Sequence, residues 1–178
     1  MNKIICKMFT KDYKEIIMKQ VFLMTGVFNQ IILNMQKGYY NYIGSGSCRD
    51  VFDLGNGYVI KIAKNKAGIA QNKNEYKISC CDKSDLFAKV IQVSEDFNYL
   101  IMEKAKRVNS ILDICNYFKV SDKNELRSLE KMQNIRRNYD LLLGDFERKN
   151  NWGIIKGKPV IIDYGFTNEV RSKYYHSK

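Results

Sequence analysis

Residues 144–165 read GDFERKNNWGIIKGKPVIIDYG, and no other stretch says as much about the fold. Asp145 is followed five residues later by Asn150, and an apolar run then stops at Asp163, directly before an aromatic residue and a glycine. A carboxylate that ends a buried strand usually marks a site, because an unpaired buried charge is costly. The stretch therefore predicts a functional site that contains Asp145, Asn150 and Asp163.

Three features upstream carry weaker signals. Gly44-Ser45-Gly46 lies between two predicted strands, where glycines let the backbone approach a phosphate. Lys61 stands in an apolar strand, and Glu75 lies in the middle of the next predicted helix, placed to form an ion pair with it. Each has an ordinary alternative: a turn, a solvated strand lysine and a surface carboxylate. Their order along one chain favours a single site.

The spacing of apolar residues predicts an α+β fold in which five antiparallel strands precede a mostly helical part. Gly55-Asn56-Gly57 supplies the positive φ angles of a tight hairpin turn, and Asp122 with Glu125 resembles a helix-starting capping box. We predict strands at 40–43, 51–54, 58–62, 87–93 and 99–102, helices at 67–81, 111–118 and 122–139, and a hairpin of 152–155 with 160–162.

The N-terminal part predicts an amphipathic helix over residues 11–36. Its apolar residues recur every three or four positions, which places them on one helical face. Neighbours such as Val27 and Leu33 widen that face and favour packing within the fold; a helix for self-association or for docking a partner is the alternative. The face consists of Ile17, Val21, Met24, Phe28, Ile31 and Met35.

Taken together, these residues resemble the protein-kinase family over roughly residues 40–167. Gly44-Ser45-Gly46 looks like the start of the family's phosphate-covering loop, and Val51 stands at the valine position that follows it. Lys61 is similar to the lysine of the third strand, and Glu75 to its helix partner.

The resemblance continues through the second half of the chain. Glu103 and Ala105 look like the hinge whose backbone meets adenine. Asp145 resembles the catalytic-loop aspartate, and Asn150 has the family's spacing for the metal-binding asparagine. Asp163, followed by tyrosine and glycine, is similar to the aspartate of the D-F-G triplet.

The resemblance implies a kinase-like fold that binds ATP between a five-stranded lobe and an abbreviated helical lobe. Lys61, oriented by Glu75, would hold the α- and β-phosphates. Asn150 and Asp163 would ligate Mg²⁺, which prefers oxygen ligands. Asp145 would orient an acceptor hydroxyl and accept its proton. The implied activity is phosphotransfer to Ser or Thr of a partner protein or of the chain itself.

The chain departs from the family pattern at several points. Arg49 stands where the loop's third glycine would be, so we expect a stiffer and differently charged loop. Leu143-Gly144 replaces the usual His-Arg before Asp145, which looks closer to small-molecule and atypical kinases. The chain ends soon after Asp163, with no A-P-E motif. These departures imply a minimal kinase without the usual peptide-docking platform.

The resemblance also implies a domain organisation and a setting. We expect one minimal kinase-like domain over residues 1–178, with a helical extension at 1–38, a sheet lobe at 39–103 and a short helical lobe at 104–178. Proteins of this kind occur in phages and among bacterial effectors, and some depend on a bound partner. The expected location is the cytoplasm, that of a host for an injected protein.

Composition limits the other classes of function. The 178 residues include 45% hydrophobic ones, which excludes a disordered chain, and the five cysteines form no metal-binding spacing. The formal net charge is +11, spread along the chain, so an acidic protein partner is favoured over nucleic acid. No segment predicts a membrane span. The alternative to an enzyme is a pseudokinase-type binding protein whose output is a protein contact.

Overall fold

The computed structural model describes residues 26–175 of the chain. The chain divides after residue 40 into two units, which are described separately. Among the described residues, no helix combines the length and the apolar character needed to cross a bilayer.

The described part of the first unit contains helix α1 at residues 26–36. Phe28 and Ile31 of the predicted apolar face are buried, whereas Val27 and Leu33 are exposed. The apolar face is therefore narrower than the sequence suggests. The part of the predicted helix before residue 26 lies outside the described residues.

The second unit begins with the five-stranded antiparallel sheet that the sequence predicts, in the order β1-β2-β3-β5-β4. In the turn from β2 to β3, Gly55 and Gly57 have φ angles of 76° and 89°, which favour glycine. The strands are β1 (Asn41–Ser45), β2 (Arg49–Asp53), β3 (Tyr58–Ala63), β4 (Val90–Val93) and β5 (Tyr99–Glu103).

Strand β4 is shorter than the predicted strand 87–93, because the residues before it pair elsewhere. The Ala88 N–H donates to the Ile161 carbonyl at 3.0 Å, and the Ile161 N–H donates to the Leu86 carbonyl at 2.7 Å. These bonds join the start of the predicted strand to a distant part of the chain, which local periodicity does not reveal.

Helix α2 (Lys66–Cys81) follows β3, and Asn65 caps its start by accepting the Gly68 N–H at 3.0 Å. A Cβ atom at Gly68 would lie 2.3 Å from the Cys48 carbonyl oxygen, so only glycine permits this close approach of helix and sheet. The approach buries Asn72 and Glu75 of α2.

The remaining elements combine short helices with a second antiparallel sheet, of order β6-β7-β8, whose last two strands are the predicted hairpin. The single helix predicted over 122–139 is wrong, because the backbone of Leu129 is extended with a ψ of 134°. The Gln133 side chain donates to the Arg127 carbonyl at 2.7 Å and satisfies a group that the break leaves without its helical partner. The elements are β6 (Lys106–Arg107), α3 (Ile111–Phe118), α4 (Lys123–Ser128), α5 (Glu130–Tyr139), β7 (Trp152–Ile155), β8 (Lys158–Ile161) and α6 (Asn168–Tyr174).

One hydrophobic core joins residues of both sheets to residues of α2 through α5. Its largest fully buried side chains are Trp152 and Tyr164, with Phe146 beside Trp152 in the sequence-predicted site region. The predicted α+β class with a five-stranded antiparallel sheet is thus confirmed. Two hydrogen bonds connect residues 144–165 to the first sheet and to α2: Lys61 of β3 donates to the Ile162 carbonyl, and the Tyr164 N–H donates to Glu75 of α2.

Candidate active site

Lys61 and Glu75 form the ion pair that the sequence predicts. Lys61 Nζ lies 2.8 Å from both carboxylate oxygens of Glu75 and donates a further hydrogen bond to the Ile162 carbonyl at 2.7 Å. An ammonium group has three donors, so all three are used inside the protein. The Glu75 side chain is fully buried and that of Lys61 is 7% exposed.

Asp163 is held in place by the two residues that follow it. The Tyr164 N–H donates to Glu75 Oε1 at 3.2 Å, which connects the segment to α2. A Cβ atom at Gly165 would lie 2.3 Å from the Gln71 carbonyl oxygen, so this position requires glycine. The Asp163 side chain remains 49% exposed.

Arg49 joins these groups into a charge cluster, which we define as Arg49, Lys61, Glu75 and Asp163. Its Nη1 lies 3.0 Å from Glu75 Oε2 and donates to Asn72 Oδ1 at 3.2 Å, and its Nη2 contacts Asp163 Oδ1. Burial raises the pKa of Asp163, but the charges of Arg49 and Lys61 outweigh it and hold this pKa below its usual value. The sequence predicted an altered loop at Arg49 and not its part in the cluster.

Asp145 lies in a short 3-10 turn, Leu143–Glu147. Trp152 Nε1 donates to the Phe146 carbonyl at 3.0 Å and fixes this turn to β7. Burial raises the pKa of Asp145 to about 6; the Arg148 guanidinium, 3.6 Å away, opposes the rise, and the charge of Asp163 adds to it. The group is therefore tuned towards neutral pH, as suits a proton acceptor.

Asn150 and Asn151 differ in their surroundings. Asn150, the sequence-predicted metal ligand, is exposed, whereas Asn151 is buried. The Asn151 side-chain nitrogen donates to the Asp145 carbonyl at 3.1 Å. Asn151 is thus tied to Asp145 and comes directly before β7. The role of Asn150 as a metal ligand stays a prediction, and Asn151 is a neighbouring amide in the same cavity that spacing did not single out.

Hydrogen bonds with Arg49 and Lys64 fix the glycine-containing loop, Gly44-Ser45-Gly46, in place. The Gly46 N–H donates to the Arg49 carbonyl at 2.8 Å. Lys64 Nζ donates to the Gly46 carbonyl at 2.6 Å and to Ser45 Oγ at 2.7 Å. At Gly46 the N–H is therefore used within the loop rather than left for a phosphate, which differs from the sequence expectation.

A cavity of about 950 Å³ opens between the two sheets, a size suited to a nucleotide-sized ligand. Glu75 lies behind Lys61, and every other sequence-predicted site residue lines this cavity. At the predicted hinge, the Glu103 N–H donates to the Lys89 carbonyl at 2.9 Å. The predicted residues that line it are Gly44, Ser45, Gly46, Val51, Lys61, Glu103, Ala105, Asp145, Asn150 and Asp163.

Sequence reasoning missed Tyr175 as part of this cavity. Its hydroxyl lies 2.6 Å from Cys48 Sγ and 3.3 Å from Ser47 Oγ, and its ring packs edge-on against Phe166 with centroids 4.9 Å apart. The end of α6 thus contacts the glycine-containing loop. Local sequence patterns do not predict this contact, because Cys48 and Tyr175 are 127 residues apart in the chain.

Basic side chains from two segments of the chain line part of the cavity. Arg107 donates to the Ile43 carbonyl at 3.0 Å, and Lys149 donates to the Asn109 carbonyl at 3.3 Å. The lining carries seven Lys or Arg residues and four Asp or Glu residues, so its net positive charge favours an anionic ligand. The basic rim consists of Lys104, Lys106, Arg107, Arg148 and Lys149.

Comparisons with known proteins add little to this geometry. No protein-family model and no curated protein matches the chain. Among solved structures, a ternary complex of streptomycin, ATP and APH(2")-IIa, an aminoglycoside phosphotransferase, is similar at 18% identity with a TM-score of 0.43. The match covers 79% of this chain and 70% of that one.

Proposed function

We propose that the chain is a kinase-like phosphotransferase that binds ATP in the cavity and transfers the γ-phosphoryl group to a hydroxyl beside Asp145. The observation that carries this proposal is that Lys61, Asp163 and Asp145 converge on one cavity, with Glu75 bound to Lys61. Phosphoryl transfer depends mainly on positioning and on stabilising charge, and these side chains supply both.

The apolar wall of the cavity suits an adenine ring. Val51, Val59 and Met102 line it together with Ile162, and Ala105 offers backbone groups at its edge. The phosphates would then extend towards Lys61 and the basic rim. Because all three Lys61 donors are used, Lys61 would exchange its bond to the Ile162 carbonyl for one to a phosphate oxygen.

Asp145 is the proposed proton acceptor. The acceptor oxygen attacks the γ-phosphorus, the bond to the bridging oxygen breaks, ADP leaves and the hydroxyl proton passes to the Asp145 carboxylate. With its pKa raised to about 6, this carboxylate is mostly ionised at pH 7 and still basic enough to take the proton. The basic rim favours an acceptor with acidic surroundings, such as a Ser or Thr in an acidic protein segment.

Mg²⁺ fits the donor set, and Asp163 and Asn151 would hold it. The Asp163 carboxylate is half exposed, and Asn151 uses its amide nitrogen on Asp145, which leaves the amide oxygen as the ligand. Mg²⁺ commonly takes one or two such protein ligands together with substrate phosphates, whose charge it neutralises. Within residues 26–175, no three His, Cys, Asp or Glu side chains cluster as a metal site.

The test is label transfer from radiolabelled ATP by the full chain, with the chain itself and dephosphorylated casein as acceptors. Asp145→Asn should lower transfer by about 10²–10⁴-fold, because the proton acceptor is lost. Asp85→Asn is the matched control: Asp85 is exposed, and asparagine also tolerates its φ of 56°. Absence of both label transfer and a nucleotide-induced thermal shift would contradict the proposal.

A pseudokinase-type binding protein is the second candidate, favoured by one observation. Lys61 and Asp163 are already satisfied within the charge cluster, by Glu75 and Arg49. On this alternative, nucleotide binds and raises the melting temperature, but neither acceptor is labelled. Asp145→Asn and Lys61→Ala would then bind a partner as the unchanged chain does, which separates the two functions.

A further inference from the structure

Arg49 is a feature of the site that the proposed phosphotransfer does not itself require. Its side chain is only 7% exposed, although a buried guanidinium is costly unless it is paired. Three side chains pair with the guanidinium and offset the cost of burying it: Glu75, Asn72 and Asp163.

The partner of Arg49 that matters most is Asp163, because this carboxylate faces the cavity. A bare carboxylate beside a polyphosphate repels it, and a cation must cover the carboxylate before the phosphates can approach. In many proteins that bind nucleoside triphosphates, a divalent ion supplies the positive charge between the carboxylate and the phosphates. Here a guanidinium of the chain itself is in direct contact with Asp163 Oδ1.

We propose that Arg49 is a built-in counter-cation for Asp163, so that the chain binds nucleoside triphosphate almost as well without a divalent ion as with one. This inference rests on the proposed nucleotide site and concerns the ion requirement of binding, not of transfer. Arg49 acts through Asp163 and is a positioning residue.

Two features of the structure support this role. Arg49 is the first residue of β2, paired with Ala63 of β3, and its guanidinium is anchored to Asn72 of α2 at 3.2 Å. Its bonds to Glu75 and Asn72 therefore hold the guanidinium next to Asp163. The basic rim, which includes Arg107 and Lys149, adds positive charge where the metal-free phosphates would need it.

The test measures the dissociation constant of a fluorescent ATP analogue for the full chain, in EDTA and in excess Mg²⁺. For the unchanged chain, we expect the two constants to agree within about threefold. Tighter binding in Mg²⁺ by about tenfold or more would overturn the inference and leave the proposed function standing. Absence of binding in both buffers would overturn both.

Variants identify Arg49 as the cause. Arg49→Ala should bind at least about tenfold more weakly in EDTA than in Mg²⁺, because Asp163 is then uncovered, and Arg49→Lys should restore part of the metal-free binding. Arg127→Ala is the matched control, since Arg127 also forms an ion pair, with Glu147, but does not line the cavity. It should leave the ratio of the two constants unchanged. If Arg49→Ala does not fold, the unchanged chain and Arg49→Lys decide the question. A ratio of the two constants below about tenfold for Arg49→Lys supports the inference, because the lysine still supplies a positive charge beside Asp163, and a ratio above about tenfold would overturn it.

Discussion

The charge cluster and the Asp145 turn (residues 143–151) face one cavity but are built differently. The charge cluster takes residues from β2, β3, α2 and the segment after β8, and its cations are 7% exposed. The Asp145 turn is a local segment whose Arg148 side chain is 68% exposed. Charges that are buried and mutually bonded depend strongly on one another, whereas solvent weakens the coupling of exposed ones.

The largest expected effect lies in the charge cluster. Glu75→Ala leaves Lys61 and Arg49 buried without the carboxylate that pairs with both, so it should lower the free energy of unfolding by about 3–5 kcal/mol. Chemical denaturation measures this change. Glu147→Ala, which removes a more exposed partner of Arg127, is the control and should cost about 1 kcal/mol or less. Equal costs would mean that burial does not distinguish the two regions.

A smaller effect is expected at the two adjacent asparagines. Asn151→Ala removes the bond to the Asp145 carbonyl and a proposed ligand, so it should lower phosphotransfer by about 10–100-fold and raise the Mg²⁺ concentration that transfer requires. Asn150→Ala changes an exposed residue and should leave transfer within about twofold. The reverse ranking would return the role to Asn150.

The pH dependence of transfer tests the Asp145 turn alone. Burial raises the pKa of Asp145 to about 6, and only its ionised form accepts a proton. The rate should therefore rise with pH through about 6 and level off above it. A profile that is flat between pH 5 and 7 would contradict Asp145 as the base, provided that circular dichroism shows the chain folded throughout.

The smallest effect on stability is expected from Arg148→Ala. The pair with Asp145 spans 3.6 Å and its arginine is largely solvated, so the free energy of unfolding should change by about 0.5 kcal/mol or less. Because Arg148 opposes the rise in the pKa of Asp145, its removal should move the midpoint of the pH–rate profile upwards. A downward movement would show that Arg148 does not act on Asp145 electrostatically.

Local patterns in the sequence accounted for much of the fold. The strands, α2 and the hairpin of β7 and β8 follow from apolar spacing and turn residues, because those signals depend on neighbours in the chain. The break at Leu129 was missed because neither glycine nor proline marks it, and the Gln133 side chain that satisfies the freed carbonyl lies beyond it. The shortened β4 was missed because its former start pairs with Ile161.

The candidate site divides in the same way. The order and spacing of residues in the sequence predicted that Lys61 pairs with Glu75 and that Asp145 and Asp163 belong to one site. In the structure the ion pair forms, and both aspartates line one cavity. Order and spacing named Asn150 and not Asn151, which the structure buries and bonds to the Asp145 carbonyl, because burial within a turn depends on contacts that spacing does not report. Nor did they place Tyr175 on Cys48, a contact between distant parts of the chain.

The sequence by itself determined the α+β class, a five-stranded antiparallel sheet and the kinds of side chain available for phosphate chemistry. Only the tertiary structure decided how those charges are paired. Arg49 reads as a substituted loop glycine in the sequence, yet it meets Asp163, 114 residues away, inside the charge cluster. The reason is physical: periodicity reports which residues are buried, whereas the partner of a buried charge depends on which elements meet, and a buried charge without a partner is too costly to keep.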